Sequence, residues 1–559
     1  MPHVITQSCC NDASCISVCP VNCIHPTPDE PGFATAEMLY IDPATCIDCG
    51  ACIDECPVSA ISPDDQLGNK GQRYLQINAD YYTDHPVHHR PAPPPKRPPV
   101  PHHTELHIAI VGAGPAAFYA AEELLHHRGV RVDMYDRLPT PYGLVRAGVA
   151  PDHPSTKGVE RTFAATANKA GFEYYLNVEV GKHITHHELL QHYSAVIYAV
   201  GASTDKRLRI PGEYLPGSIP ATDFVAWYNG HPDYADLEVD LSCPRAVIVG
   251  NGNVALDAAR MLLTDPDVLG RTDIADHALE QLRSSKVTEV VLLGRRGIAQ
   301  AAYTNAEFLA MGDIDGVDVV IDPDELTLDA AREQGLADGT LDSTVAGKIR
   351  IAREFAERGG NEANKRVVFR YLVSPVALTG QESVSAITCV RNELKAGGSV
   401  TVAATDERFT IDTTLVMRAI GYHGIPIDDL PFDDSRGVVP NANSRVLTAP
   451  DADPVPGVYV TGWIKRGATG GIGMNRLDGQ HTARAVLDDY TRGILPQPTA
   501  TREMIAPLIA ERGANRIAAD GWHRIDDAEK SAGRTQGRRR VKLVRVQDFE
   551  DVAAAPHNT

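Results

Sequence analysis

The stretch His107-Ile108-Ala109-Ile110-Val111-Gly112-Ala113-Gly114-Pro115-Ala116-Ala117 decides how the chain folds. An apolar run of β character enters a glycine turn and leaves as the helix-forming segment Phe118 to His127. Such a turn sets bare backbone N–H groups and a helix N-terminus against a pyrophosphate. Val130 to Tyr135 reads as the next strand, and Asp136 ends it 24 residues after Gly112, where a carboxylate reaches a ribose hydroxyl. A glycine turn alone is weak evidence, because such turns also occur where nothing binds, and an acid at a strand end can be a mere surface group. Turn, strand and acid together read as one dinucleotide site.

Working outward, a second opening of the same kind appears at Arg245-Ala246-Val247-Ile248-Val249-Gly250-Asn251-Gly252-Asn253-Val254-Ala255-Leu256-Asp257. Its next strand, Glu289 to Gly294, is followed by Arg295 and Arg296 where the first site has its acid. Two guanidiniums suit the 2′-phosphate of NADP, since an arginine fork meets phosphate bidentately; the bland alternative is a solvated pair opening a loop. Two such openings imply an α/β chain with two doubly wound, Rossmann-like domains, one for FAD and one for NADP(H).

The chain has 559 residues, of which 43% are hydrophobic, enough for several cores. Its 53 basic and 73 acidic residues give a formal charge of −20, which argues against broad nucleic-acid binding. No apolar run has the length of a membrane span, and Met1-Pro2-His3-Val4 does not open a secretory signal, so the expectation is a cytoplasmic protein with no membrane or nucleic-acid partner.

Nine of the eleven cysteines fall between Cys9 and Cys56. In a cytosolic chain such crowding favours metal over disulfides. Cys46-x2-Cys49-x2-Cys52-x3-Cys56-Pro57 repeats as Cys9-x2-Asp12-x2-Cys15-x3-Cys19-Pro20, and resembles the bacterial two-cluster ferredoxin pattern, whose fourth cysteine ligates the other cluster. Zinc is the rival, but zinc sites use separated ligand pairs. The resemblance assigns Cys46, Cys49, Cys52 and Cys19 to one [4Fe-4S] cluster and Cys9, Cys15 and Cys56 to a second. Asp12 stands where the second set's central cysteine would be. A carboxylate is a harder ligand than a thiolate, so either Asp12 or water completes a labile [4Fe-4S] cluster or a [3Fe-4S] cluster remains, the latter being favoured. Cys10 and Cys23 read as packed thiols beside the clusters.

Between Pro86 and Pro101 half of the sixteen residues are proline, which predicts an extended polyproline tether. The histidines around it, His85, His88, His89, His102 and His103, read as solvated linker residues.

Leu138-Pro139-Thr140-Pro141-Tyr142-Gly143-Leu144-Val145-Arg146-Ala147-Gly148-Val149-Ala150-Pro151-Asp152-His153 and Val460-Thr461-Gly462-Trp463-Ile464-Lys465-Arg466-Gly467-Ala468-Thr469-Gly470-Gly471-Ile472-Gly473 look like the adrenodoxin reductase type of ferredoxin–NADP reductase. With its amino-terminal cysteines, the whole chain is similar to bacterial fusions of ferredoxin and that reductase. The resemblance implies an NADP domain inserted in an FAD domain, preceded by a small α+β ferredoxin domain. The expected division is 1–65 ferredoxin, 66–105 linker, 106–205 first FAD part, 206–420 NADP domain and 421–559 second FAD part with tail.

By matching position, Gly112, Gly114, Ala116, Ala117, Asp136, Leu144 and Val178 would meet FAD, with Trp463, Gly470, Gly471 and Ile472 closing over its ring. Gly250, Asn251, Gly252, Asn253, Val254, Arg295, Arg296 and Glu307 would hold NADP. His153 and Asp257 match active-site groups, while Ala310 replaces an acid that relatives carry one turn after Glu307. Ala202 and Gly421 end β-type runs where the chain crosses between domains, and read as close-approach points or as ordinary turns. Gly521 to Asp526 and Arg538-Arg539-Arg540 look like tail elements, the arginines either solvated or steering an acidic ferredoxin.

The implied activity is hydride transfer from NADPH to FAD and single-electron transfer onward to ferredoxin or another one-electron acceptor, the fused clusters serving as relay or acceptor. Two rivals keep parts of the pattern: an electron-entry subunit of a larger synthase or dehydrogenase, and a dehydrogenase carrying a zinc-binding interaction module.

Overall fold

A computed structural model describes residues 2–86, 105–361, 364–394 and 401–555. The expected polyproline tether lies almost entirely outside the described residues.

The first glycine turn belongs to a seven-stranded sheet ordered Asn441–Ala442, Arg445–Leu447, Pro454–Val460, Ala195–Tyr198, Leu106–Val111, Val130–Asp136 and Phe172–Leu176. The last five are parallel and the first two antiparallel. Leu106, Ile108, Ala109 and Ile110 are fully buried, as a parallel strand covered on both faces requires. Helix Pro115–Leu124 crosses over from the turn, and the 20-residue helix Ile472–Thr491 packs along it. The helices meet backbone to backbone at Gly479, where a Cβ would stand 2.7 Å from Ala120 N.

The second turn belongs to an all-parallel sheet ordered Ser218–Pro220, Leu415–Arg418, Arg245–Val249, Glu289–Gly294, Lys365–Tyr371 and Val317–Ile321. An antiparallel layer of Val373–Thr379, Ala386–Leu394 and Val402–Asp412 flanks it. The chain passes between the two sheets twice, and the two passages pair with each other, Thr204–Asp205 against Tyr422–His423. Gly421 sits in this crossing at φ 112°, its carbonyl accepting from Lys206 N at 3.0 Å.

The amino-terminal module has two strand pairs, His3–Ile5 with Ile61–Pro63 and Ile24–His25 with Tyr40–Ile41. The spacing repeat in its sequence is also a repeat in its backbone. Helices Ser14–Val18 and Ala51–Glu55 both start from a left-handed residue, Ala13 or Gly50, and end at Cys19 (φ −74°, ψ 112°) and Cys56 (φ −75°, ψ 111°).

One expectation is corrected here. Residues 66–86, read as the start of a loose linker, contain helix Arg73–Asp84. Buried Asn78 ties both strand pairs to this helix: its amide donates to Ile5 O at 2.9 Å and accepts from Ile41 N at 2.9 Å. Tyr82 donates to Cys23 O and Tyr40 O, and Tyr81 stacks on Tyr40 with ring centroids 4.3 Å apart. The helix walls off one side of the module, with Tyr81 and Tyr82 closing over Tyr40.

The tail is a second correction. Arg538 and Arg540, read as solvated or steering, are 7% and 3% exposed. Arg540 pairs with Asp526 and Glu529, Glu529 meets Arg146 through both oxygens at 2.6 and 2.9 Å, and Arg538 reaches Asp276. The tail therefore clamps the two sheet domains together from inside.

Candidate functional site

At both glycine turns the first glycine is a packing requirement and the second is open. Gly112 (φ 104°) and Gly250 (φ 121°) have left-handed backbones, and a Cβ on either would overlap the carbonyl oxygen of Ala199 or Ala419 in the neighbouring strand end. Gly114 has nothing within 4 Å of where its Cβ would be, and Gly252 meets only Ala302 Cβ at 4.0 Å. The backbone ahead of each crossover helix is thus left bare toward open space, as a pyrophosphate needs.

Around the first turn, the Asp136 carboxylate accepts from Ala113 N at 2.7 Å and Leu138 N at 2.9 Å, and burial pushes its pKa up. It braces the turn as well as standing at the strand end. Buried Val178 donates to Asp136 O, Tyr142 N donates to Ala113 O, and Gly143 lies against Gly114, which brings the half-exposed Leu144 alongside. Buried Ala116 and Ala117 begin the helix, and Gly462 must be glycine because a Cβ there would come within 2.8 Å of Ala116 Cβ. Trp463 donates through Nε1 to Thr469 O at 3.1 Å and Gly470 O at 3.3 Å, so Trp463 fixes the loop running to Gly471 and Ile472. Nothing lies within 4 Å of a Cβ on Gly471.

Around the second turn, Asn253 accepts from Thr304 N at 2.9 Å, and Val254 follows in helix Asn253–Leu263. Arg295 is exposed and Arg296 half-buried; neither has an acidic partner among the described residues. Asn251 Nδ2, Gln300 Oε1, Thr461 Oγ1 and Tyr228 OH are buried without hydrogen-bond partners among the described residues. Asn251 lies between Gly250 and Gly252, and its orphaned amide beside open glycine backbone fits a site built for a polar cofactor.

Between the turns the polar atoms of His153, Asp257 and Glu307 come within 4.8 Å of one another. Two of these and a third carboxylate gather on Arg260, 5% exposed, which reaches Asp152 at 2.6 Å, Asp257 at 2.6 Å and Glu307 at 3.1 Å. His153 Nε2 stands 3.8 Å from Glu307 Oε2. Burial raises the Asp257 pKa to about 6, Arg260 opposing and Glu307 adding to the rise. Arg260 and Asp152 were not assigned from sequence. Arg260 follows Asp257 by one helical turn, a legible signal, and Asp152 rather than an acid at position 310 completes the carboxylate set.

In the amino-terminal module, Cys19, Cys46, Cys49 and Cys52 line one small cavity with Cys23, whose sulfur is 3.5 Å from that of Cys19. Cys15 lies within electrostatic reach of Cys9, Asp12 and Cys56, and burial pushes the Cys9 thiol up to about 12. Thiols that burial holds protonated ionise only beside a cation, and N–H groups already point at the sulfurs: Ala60 N at Cys56 and Leu39 N at Cys9. The donor set fits iron-sulfur clusters. Buried Cys10, read from sequence as a packed thiol, presents its carbonyl to Gly473 N.

The module rests on the acid cluster and its surroundings. Gln7 Nε2 donates to Glu307 Oε1 at 3.2 Å, Asn305 N donates to Glu37 at 2.7 Å, and Lys348 pairs with Glu37 at 3.5 Å.

Residues 106–299 match the family model for pyridine nucleotide-disulphide oxidoreductases, and residues 39–62 match the 4Fe-4S binding domain. The probable ferredoxin/ferredoxin–NADP reductase of Mycobacterium tuberculosis is 49% identical over 98% of this chain and 94% of its own length. The Mycobacterium leprae protein of the same name is 46% identical over 99% and 98%. The chain belongs to the ferredoxin/ferredoxin–NADP reductase family.

Within that family the reductase part also has a solved counterpart, Mycobacterium tuberculosis FprA in complex with NADPH. It shares 45% identity, covers 81% of this chain and 100% of its own, and superposes with a TM-score of 0.76. As a ferredoxin/ferredoxin–NADP reductase family member, the chain is an α/β oxidoreductase with a 4Fe-4S binding domain. No helix among the described residues is long and apolar enough to cross a membrane.

Proposed function

We propose that this chain takes hydride from NADPH onto FAD and delivers the electrons one at a time to its own amino-terminal clusters, and from them to an external ferredoxin or similar acceptor. The observation that supports this reading is the seating of the first cysteine segment on the segment proposed to cover the flavin, where Gly473 N donates to Cys10 O at 2.7 Å.

FAD, when bound, supplies the conversion between a two-electron donor and one-electron acceptors. The chain's residues do the positioning. Gly112, Gly114, Ala116 and Ala117 would present bare backbone and a helix N-terminus to the FAD pyrophosphate, with Asp136, Leu144 and Val178 lining the site. Trp463, Gly470, Gly471 and Ile472 would cover the flavin and exclude water. Gly250 to Val254 would receive the NADP pyrophosphate, Arg295 and Arg296 its 2′-phosphate, and Glu307 its nicotinamide half. Asp257, titrating at about 6, and His153 would hold protons beside the flavin, while Arg260 keeps three carboxylates in register.

Cys19, Cys46, Cys49 and Cys52 would hold a [4Fe-4S] cluster, and Cys9, Cys15 and Cys56 a second cluster. We place the division of labour at 1–65 for the ferredoxin with helix Arg73–Asp84 as its buttress, 106–205 and 421–559 for FAD, and 206–420 for NADP. The reducing cytoplasm, which keeps ligand thiols from pairing as disulfides, suits a chain with seven cysteines assigned to clusters.

Anaerobic EPR with iron, zinc and flavin quantification, before and after NADPH, tests the reading. Iron, equimolar flavin and a cluster signal that changes on NADPH addition are expected; zinc in place of iron, or clusters indifferent to NADPH, would refute it.

A further inference from the structure

Asp12 is the residue that breaks the cysteine spacing, and in the structure its carboxylate faces the reductase. Arg476, one turn into helix Ile472–Thr491, donates through Nη1 to Asp12 O at 2.7 Å, to Ser14 Oγ at 2.6 Å and to Asp12 Oδ2 at 3.2 Å. Ser14 Oγ donates to the same Oδ2, and Ser14 N to Oδ1 at 3.4 Å. Both carboxylate oxygens are therefore engaged, and a guanidinium paired with an anion lowers its donor strength toward iron. The same loop is gripped by backbone: Gly473 N donates to Cys10 O, and a Cβ on Gly473 would overlap Asn11 O, so only glycine admits this approach. Tyr119, on the crossover helix of the first glycine turn, lies buried within reach of Cys10, Asp12 and Arg476. On the other cysteine set, Cys49 is exposed and Ile47 is 58% exposed.

We infer that Asp12 is a docking residue and not an iron ligand: with Arg476 it latches the three-cysteine set of Cys9, Cys15 and Cys56 against the flavin side of the reductase. That set is the inner one, and the Cys46 set faces outward. The Arg476 latch explains why an acid occupies this position. It anchors a partner domain at the same vertex where a fourth cysteine would have completed the ligand set. The inference rests on the functional reading above.

The test uses the full chain with Asp12→Asn, Arg476→Ala, Arg476→Lys and the charge exchange of Asp12→Arg with Arg476→Asp. Iron content and the EPR signal of the oxidised protein report ligation. Hydrogen exchange over residues 472–480 reports docking, and stopped-flow bleaching separates flavin from cluster reduction. Asp12→Asn keeps wild-type iron and signal. Arg476→Ala exchanges about tenfold faster and reduces its clusters about tenfold more slowly, the loss expected for one charge-assisted contact set, with flavin bleaching unchanged. Arg476→Lys and the charge exchange recover part of both.

Iron loss or an altered signal in Asp12→Asn would make Asp12 a ligand and overturn the inference. So would wild-type exchange and cluster bleaching in Arg476→Ala. A wild-type chain that does not bleach with NADPH would remove the functional reading and the inference with it, whereas normal wild-type bleaching isolates the failure to the latch.

Discussion

Arg260 shows what a single buried cation does for the site. Three carboxylates would repel one another this close together, and the guanidinium between Asp152, Asp257 and Glu307 makes their approach tolerable. Asp257 is the least compensated, since burial raises its pKa from 3.8 to about 6. The folded chain binds that proton more tightly than the unfolded chain, so this contribution favours folding below the ordinary value and is lost as pH rises through about 6. Asp257→Asn should therefore gain thermal stability relative to wild type between pH 5 and pH 7; a melting-temperature difference that stays flat over that range would contradict the assignment.

The arginine pair after the second turn supports a separate prediction. Replacing Arg295 and Arg296 with alanine should raise KM for NADPH by about ten- to a hundredfold, because charge-assisted phosphate hydrogen bonds contribute ~1.5–3 kcal/mol. KM for NADH should be unmoved. Equal losses with both nucleotides would show that the pair does not read the 2′-phosphate. The positions of Gly112, Asp136 and Arg295 were legible because turn, strand end and spacing are local. Gln7 at Glu307 was not, since residues 300 apart in sequence meet there.

At the scale of elements, helix Arg73–Asp84 was legible in principle: Tyr74, Ile77, Asn78 and Tyr81 fall at helical spacing. The proline run that follows hides that spacing, because it gives residues 66–105 the composition of an extended tether. The tail arginines were not legible, because a basic run looks the same whether water or distant acids surround it. Their partners Asp276, Glu160 and Glu529 come from three different elements.

A buried cluster of this kind is costly to break. Glu529→Gln leaves Arg146 and Arg540 undercompensated and should cost about 3–5 kcal/mol, read as a lowered thermal midpoint. Arg283→Ala, at a pair 57% and 84% exposed, should change little. Equal effects of the two substitutions would contradict the clamp.

Over the whole molecule, two sheets and a cysteine module were recoverable from repeated local patterns, each strand–turn–helix or cysteine spacing announcing itself independently. How the module sits on the reductase was not, because it depends on single contacts such as Gly473 to Cys10 and Asp12 to Arg476. On the proposed relay those contacts would make electron delivery an internal event, because a tethered and docked partner meets its donor at an effective concentration that does not depend on how much protein is in solution. The direct measurement is anaerobic stopped-flow of the full chain with excess NADPH over a tenfold range of protein concentration, following cluster bleaching. A first-order rate constant that does not change with concentration is predicted. A rate constant that rises in proportion to protein concentration would show that the clusters are reduced by other molecules, contradicting the internal relay.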